Sequence, residues 1–166
     1  MNARIILHKD QVLHGIETLA YKFSEAAGLE PKQKNVVAAD HNENLDADIL
    51  SRMMDLRDAR LRKRLRFVLS RTDNNVACDK PNTGSEFVYD MLLEGVDGND
   101  LESAKTLMHE YMVRGSLRDW YLQLGIQTAI TAEEVDRMEE DIVSIFRGKS
   151  FIKVPMQPFG PKKKYY

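Results

Sequence analysis

Residues 57–66, RDARLRKRLR, carry a dense cluster of positive charge, and we call them the basic run. Six of these ten residues are basic and one is acidic; the basic members are Arg57, Arg60, Arg62, Lys63, Arg64 and Arg66. Cations at this density are typical of nucleic-acid sites, because each one can neutralise a phosphate. They could instead balance the negative end of a helix dipole, or meet an acidic surface on another chain.

The charge balance of the whole sequence weighs against nucleic-acid binding as the main role of the basic run. The chain has 24 Lys and Arg against 26 Asp and Glu, whereas nucleic-acid-binding domains are usually strongly basic. A helix dipole gains only about 0.3–1 kcal/mol from each matched charge, so it does not require six cations. At about 100° per residue, the cations also wrap around a helix instead of lining one edge. A surface that meets protein fits this pattern better than one that reads bases.

Residues 131–141 form an acidic counterpart to the basic run. The acidic residues there are Glu133, Glu134, Asp136, Glu139, Glu140 and Asp141, against the single base Arg137. The two segments could pair within one molecule, or copies of the chain could join head to tail and close a ring. In a ring, such complementarity would set register and choice of partner. Together with the basic run, the residues predicted to bind a partner chain are Glu133, Glu134, Glu139 and Glu140.

The other motifs that could carry chemistry each lack a required residue. Gly148-Lys149-Ser150 ends like a phosphate-binding loop, but Val143 stands where that loop needs its first glycine. Asp97 begins a segment like a calcium loop, whose twelfth position is Met108 instead of glutamate. None of the four histidines pairs with another at a spacing of three or four residues. We therefore predict a protein that is not an enzyme and holds no metal or cofactor.

Length and composition are those of one soluble domain. The chain has 166 residues, of which 43% are hydrophobic and 30% charged. A single cysteine, Cys78, excludes a disulfide within the chain. No apolar run approaches the roughly 20 residues that a membrane span needs, and the first residues lack the apolar stretch of a secretory signal. We therefore expect no contact with a membrane.

Hydrophobic periodicity predicts an all-α fold, a helical bundle of four main helices and one short helix over residues 1–150. The main helices are predicted over 10–27, over 42–70, over 100–124, and from the capping box at Thr131 to Gly148. The short helix is predicted over 85–94, with a loop or small hairpin at 71–84 and a short strand or arm at Arg4 to Leu7. In the core, the residues expected to pack against one another are Leu50, Met54, Leu61 and Leu65 on one side and Leu117, Trp120, Ile142 and Phe146 on the other.

Residues 151–166, FIKVPMQPFGPKKKYY, are predicted to be an extended docking arm. Pro155, Pro158 and Pro161 forbid a helix, and apolar residues alternate at its start. Such an arm can add to a sheet edge or lie in a groove, and its lysines can pair with acidic groups. The arm residues predicted to bind a partner are Phe151, Ile152, Val154, Met156, Pro158, Phe159, Lys162, Lys163, Lys164, Tyr165 and Tyr166.

The order of these elements resembles that of the head–tail connector, or adaptor, proteins that form a ring beneath the portal of tailed bacteriophages, including crAss-like phages. A first helix precedes a long acidic-to-basic helix that opens with DHNENLDADIL. A polar loop follows, then a helix ending in RDWYLQL, a final amphipathic helix and an extended tail. The similarity covers the order of elements over most of the chain and includes no sharp motif.

The resemblance implies a structural virion protein without catalysis. Commonly about twelve copies would form a homo-oligomeric ring at the portal–tail junction, after assembly in the cytoplasm of the host bacterium. The partners would be the portal protein, downstream tail proteins and channel DNA that is not read by sequence. Two alternatives stay open: a helical DNA-binding phage regulator or packaging subunit that uses residues 57–66, and a small enzyme with a dispersed site.

Overall fold

The computed structural model describes residues 2–26, 44–70 and 84–149. Within them the chain forms, in order, β1 (Asn2–His8), α1 (Lys9–Ala26), α2 (Asn44–Arg64), β2 (Glu86–Leu92), α3 (Gly98–Gln123) and α4 (Ala132–Phe146). The four predicted main helices are confirmed, so the fold is mostly helical. The predicted arm at 151–166 and nearly all of the predicted loop or hairpin at 71–84 lie outside the described residues.

A small sheet corrects the all-α prediction. The segment predicted as a short helix over 85–94 is the strand β2, which pairs antiparallel with β1, and the stretch from Arg4 to Leu7 lies in β1. The prediction was wrong because apolar residues in this short segment fit both periods. Phe87 and Met91 suit a helix, but Phe87, Tyr89 and Met91 also alternate, and all three are buried.

The helix predicted over 42–70 is shorter than expected, because α2 ends at Arg64. The next residues turn and bring Leu69 beside Met91 of β2, where Ser70 N–H donates to the C=O of Asp90 at 2.8 Å. After the helix, the chain therefore supplies hydrogen-bond partners for backbone groups on the outer side of β2. As a result, Arg66 lies after the helix.

The core forms around α3, which packs against α1, α2, α4 and β1. All eight residues predicted to form its centre are buried in one hydrophobic cluster. At the start of α4, the Thr131 side chain accepts a hydrogen bond from Glu134 N–H at 3.1 Å, which is one half of the predicted capping box. The Glu134 carboxylate accepts from Arg114 of α3 at 2.5 Å, so this residue also ties α4 to α3.

Candidate protein-interaction site

Arg57 of the basic run is buried against α3. Its Nε and Nη2 donate to the two carboxylate oxygens of Asp119, each at 2.6 Å, and its side chain is only 8% exposed. The guanidinium carbon lies 5.8 Å from the centre of the Tyr111 ring. Burial alone would lower the pKa of Arg57, but hydrogen bonds to Asp119 and Tyr111 outweigh it and raise that pKa. Arg57 is therefore a fixed cation inside the chain.

Gly115 makes room for this arginine. A Cβ at position 115 would lie 3.0 Å from both Cδ and Nε of Arg57, which is closer than nine in ten real Cβ contacts. Arg57 thus crosses α3 over Gly115, which lies one turn after Tyr111 and one turn before Asp119 and has no side chain. The sequence shows Gly115 only as a glycine in a predicted helix, and neither its role nor that of Asp119 is visible there.

We expect Gly115→Ala to destabilise the protein, although alanine favours helix by about 1 kcal/mol over glycine. The added methyl group displaces Arg57 from Asp119, and disturbing this buried pair should produce a net loss of about 1–3 kcal/mol in the free energy of unfolding. Gly98→Ala is the matched control, because Gly98 is also in α3 and a Cβ there meets nothing within 4 Å. Urea titrations of both variants measure the difference, and a stabilised Gly115→Ala protein would contradict this account.

Arg62 and Asp58 form a second buried pair beneath the sheet. Arg62 Nε donates to Asp58 at 2.8 Å, and their side chains are 4% and 8% exposed. The hydroxyl of Tyr89 in β2 donates to the other Asp58 oxygen at 2.5 Å, and the guanidinium of Arg62 lies 4.4 Å from the Tyr89 ring centre. Burial raises the pKa of Tyr89 well above its ordinary value, with the nearby Asp58 charge adding to the shift. The phenol is thus held as a neutral donor to the carboxylate.

Arg60 and Arg64 bind the acidic helix α4 of the same chain. Arg60 contacts Asp136 and Glu139, each at 2.7 Å. Arg64 contacts Glu139 at 3.1 Å and also pairs with Glu140. Of the two pairings left open by the sequence, the structure therefore shows the one within a single molecule.

Glu139 is the centre of this contact. Its side chain is 5% exposed, and it also accepts a hydrogen bond from the Tyr111 hydroxyl at 2.9 Å. Burial, with a contribution from the Glu139 charge, raises the pKa of Tyr111 to about 12. The carboxylate thus links α2 and α4 to the same tyrosine that faces Arg57.

Three further residues of the predicted site lie at the surface of the part of the chain that the structure describes. Lys63 and Arg66 are exposed, and neither forms an ion pair with another described residue. Glu133 is exposed too, and within the described ranges it pairs with no cation. Arg52 of α2 also lacks an ion pair there, and Leu56, one turn further on, is 61% exposed. The surface left for a partner is therefore smaller than the basic run and includes an apolar side chain.

A cavity of about 370 Å³ lies near the end of α3. It is lined by Arg118, Leu122, Gly125, Ile126, Gln127, Thr128 and Ile130. The lining supplies the guanidinium of Arg118 among apolar and neutral groups. No carboxylate, histidine or cysteine is among its described residues. This lining can hold an apolar or anionic group, but its described residues place no carboxylate or imidazole beside the hydroxyl group of Thr128.

Comparison of the chain with protein-family models, with curated proteins and with solved structures gives no match. Among the described residues, no group of three or more His, Cys, Asp or Glu side chains is arranged to hold a metal ion. None of the described helices combines the length and apolar character needed to cross a membrane.

Proposed function

We propose that the protein is a structural virion protein, and that its copies form a ring between the portal and the tail of a tailed phage. The resemblance in the order of elements supports this proposal, and the described residues include four main helices. The observation that favours this proposal over its DNA-binding rival is the internal pairing of the basic run. Its buried arginines hold the bundle together, so the feature that most suggested nucleic-acid binding is largely part of the scaffold.

The rival function, a DNA-binding regulator, loses most of its candidate residues. Arg57, Arg60, Arg62 and Arg64 all bind carboxylates of the same chain. Lys63 and Arg66 remain, and two phosphate contacts would give a slope of only about 2 in a plot of log affinity against log salt. That suffices for weak contact with DNA in a channel and does not support tight binding to an operator.

The surface that we assign to neighbours in the ring is the exposed side of α2. Arg52, Leu56 and Lys63 recur at helical spacing on one face of α2, so two cations flank an exposed leucine. An apolar anchor within a charged rim is typical of protein interfaces. An acidic neighbour with an apolar contact would fit it, and Glu133 and Asp141 of another copy offer exposed carboxylates.

Purified particles test the proposed function directly. Mass spectrometry should find the protein in virions at a constant ratio to the portal protein, and a map of the particle should show it as a ring at the portal–tail junction. Phage lacking the gene should yield filled heads without tails. Tailed, infectious particles from that deletion would contradict the proposal, as would a chain that is absent from virions and binds one duplex sequence tightly.

The predicted arm gives a second test of the same function. We expect a protein truncated after residue 150 to remain helical and to melt close to the temperature of the full chain, since the described core ends before the arm. The truncated protein should fail to enter particles, because the segment that reaches a partner is gone. Circular dichroism and particle composition measure the two effects. Unfolding would show that the arm belongs to the core, and normal incorporation would show that it is dispensable.

A further inference from the structure

The small sheet leaves one edge of β1 unpaired among the described residues. Lys9 N–H donates to the C=O of Ser85 at 2.9 Å, in register with β1 and β2. Since ladder hydrogen bonds of an antiparallel pair fall on alternate residues, those of β1 fall on its odd-numbered residues. Arg4 and Ile6 therefore direct their backbone N–H and C=O groups away from β2.

The outer side of β2 shows the same alternation, but there the groups are paired. Ser70 N–H donates to Asp90 C=O, and Leu92 N–H donates to Val68 C=O, each at 2.8 Å. On β1, no residue of the described ranges bonds to the backbone of Arg4 or Ile6. An open edge of this kind is a template for another extended segment.

We propose that the open edge of β1 binds residues 151–156 of a neighbouring copy as an added strand that runs parallel to β1. The inference rests on the proposed ring, because it requires copies of the chain to meet. It deepens that function by naming where the arm of one copy docks on the next.

The parallel direction follows from Pro155. Proline has no N–H, so in an added strand the backbone nitrogen of Pro155 must point away from β1. The backbone N–H and C=O groups of Lys153, two residues earlier, then point the same way. Ile152, Val154 and Met156 then make the hydrogen bonds to β1. In a parallel pair, a residue whose backbone groups bond to the neighbouring strand lies opposite a residue whose backbone groups point away from that strand. The odd-numbered residues of β1 point away, because they bond to β2, so Ile152, Val154 and Met156 lie opposite them.

This register buries the apolar residues of the arm. The odd-numbered residues of β1 are Ala3, Ile5 and Leu7, and all three face the core. Opposite residues share a face of the sheet, so the alternating apolar side chains of the arm extend that buried face. An antiparallel strand would place the same side chains on the exposed face beside Arg4. Parallel addition therefore satisfies both the proline and the apolar pattern.

The reach of the chain points to the arm of another copy. Lys149 C=O accepts from Glu94 N–H at 2.8 Å, and Glu94, like Leu92, directs its N–H away from β1. The arm thus begins about three strand spacings, roughly 14 Å, from the place that a strand added to its own β1 would occupy. The three residue steps from Lys149 to Ile152 span at most about 11 Å. A copy cannot place its own Ile152 on that edge, whereas a neighbour can.

Two proline variants of the arm test the register. Val154→Pro removes an N–H that points toward β1 and should weaken self-association of the full chain roughly tenfold or more. Lys153→Pro removes an N–H that points away, and it should leave association within about twofold of that of the Lys153→Ala control. Sedimentation velocity over a range of protein concentrations measures both. Equal losses in the two proline variants would overturn the register.

The β1 side has its own pair of variants. Ile6→Pro keeps the hydrogen bonds between β1 and β2, because the N–H of Ile6 is not one of their donors. It removes an N–H from the open edge and should therefore also weaken self-association roughly tenfold. Ile6→Val keeps the N–H and should associate like the parent. At concentrations where nine-tenths of the edges are occupied, the amides of Arg4 and Ile6 should exchange hydrogen about tenfold more slowly than in dilute protein.

The failures of this inference and of the proposed function are distinguishable. A parent that self-associates while all proline variants match it would overturn strand addition and leave the ring proposal intact. A parent that stays monomeric at every concentration would overturn strand addition as well. The ring proposal fails separately, when the protein is missing from purified particles.

Discussion

Replacing Asp58 by alanine is expected to lower the free energy of unfolding by about 3–5 kcal/mol. The side chain of Arg62 is only 4% exposed, so the variant leaves a buried guanidinium without the carboxylate that faces it at 2.8 Å. It also leaves the hydroxyl of Tyr89, itself fully buried, without its acceptor. The effect should therefore exceed that of removing a surface charge by several kcal/mol.

A double-mutant cycle isolates the pair. Asp58→Ala, Arg62→Ala and the double variant should show a favourable coupling between the two residues, because the double variant removes both charges of the pair together. Asp136→Ala is the control, since its side chain is 58% exposed in its contact with Arg60 and should cost no more than about 1 kcal/mol. Chemical denaturation followed by circular dichroism measures all four. If Asp58→Ala costs as little as Asp136→Ala, the pair does not hold the sheet to α2.

Helix positions could be predicted from the sequence where the apolar pattern is long. The helices α1 and α4 each carry several turns of one apolar period, and the start of α4 follows from the cap at Thr131. In α3 the apolar stripe shifts near Gly115, and its length still predicts a helix. The strand β2 was missed because seven residues are too few to separate the two periods, and its pairing with β1 depends on residues 78 to 90 positions away. Long-range pairing, and not local preference, decides the conformation of such a segment.

The partners of the basic run show a second limit on what the sequence alone can predict. Sequence composition reveals that acidic and basic segments exist, but it does not distinguish pairing within a chain from pairing between copies. Arg57 reaches Asp119 across 62 positions of sequence, and it passes so close to Gly115 that a Cβ there would lie 3.0 Å from its side chain. The basic run therefore has three parts: Arg57 and Arg62 are buried in the fold, Arg60 and Arg64 are exposed but pair with α4, and Lys63 and Arg66 lie at the surface without an ion pair to a described residue.

Trp120→Ala is expected to cost about 3–5 kcal/mol in the free energy of unfolding. The side chain is 1% exposed and lies in the core cluster, with its ring centre 5.3 Å from that of Tyr121. Its Nε1 is buried and has no hydrogen-bond partner among the described residues, so the loss comes from packing and cavity formation. Trp120→Phe, which keeps an aromatic ring and gives up no hydrogen bond, should therefore cost clearly less than alanine.

Leu122→Ala supplies the matched control for this prediction, because Leu122 is in the same helix and is 53% exposed. It should change stability by no more than about 0.5 kcal/mol. Urea unfolding followed by circular dichroism measures the three variants on one scale. Since Trp120 is the only tryptophan in the chain, its fluorescence in the parent protein should also resist quenching by acrylamide until the protein unfolds. A loss of 0.5 kcal/mol or less for Trp120→Ala, with ready quenching in the native state, would instead place this residue at an interface between copies.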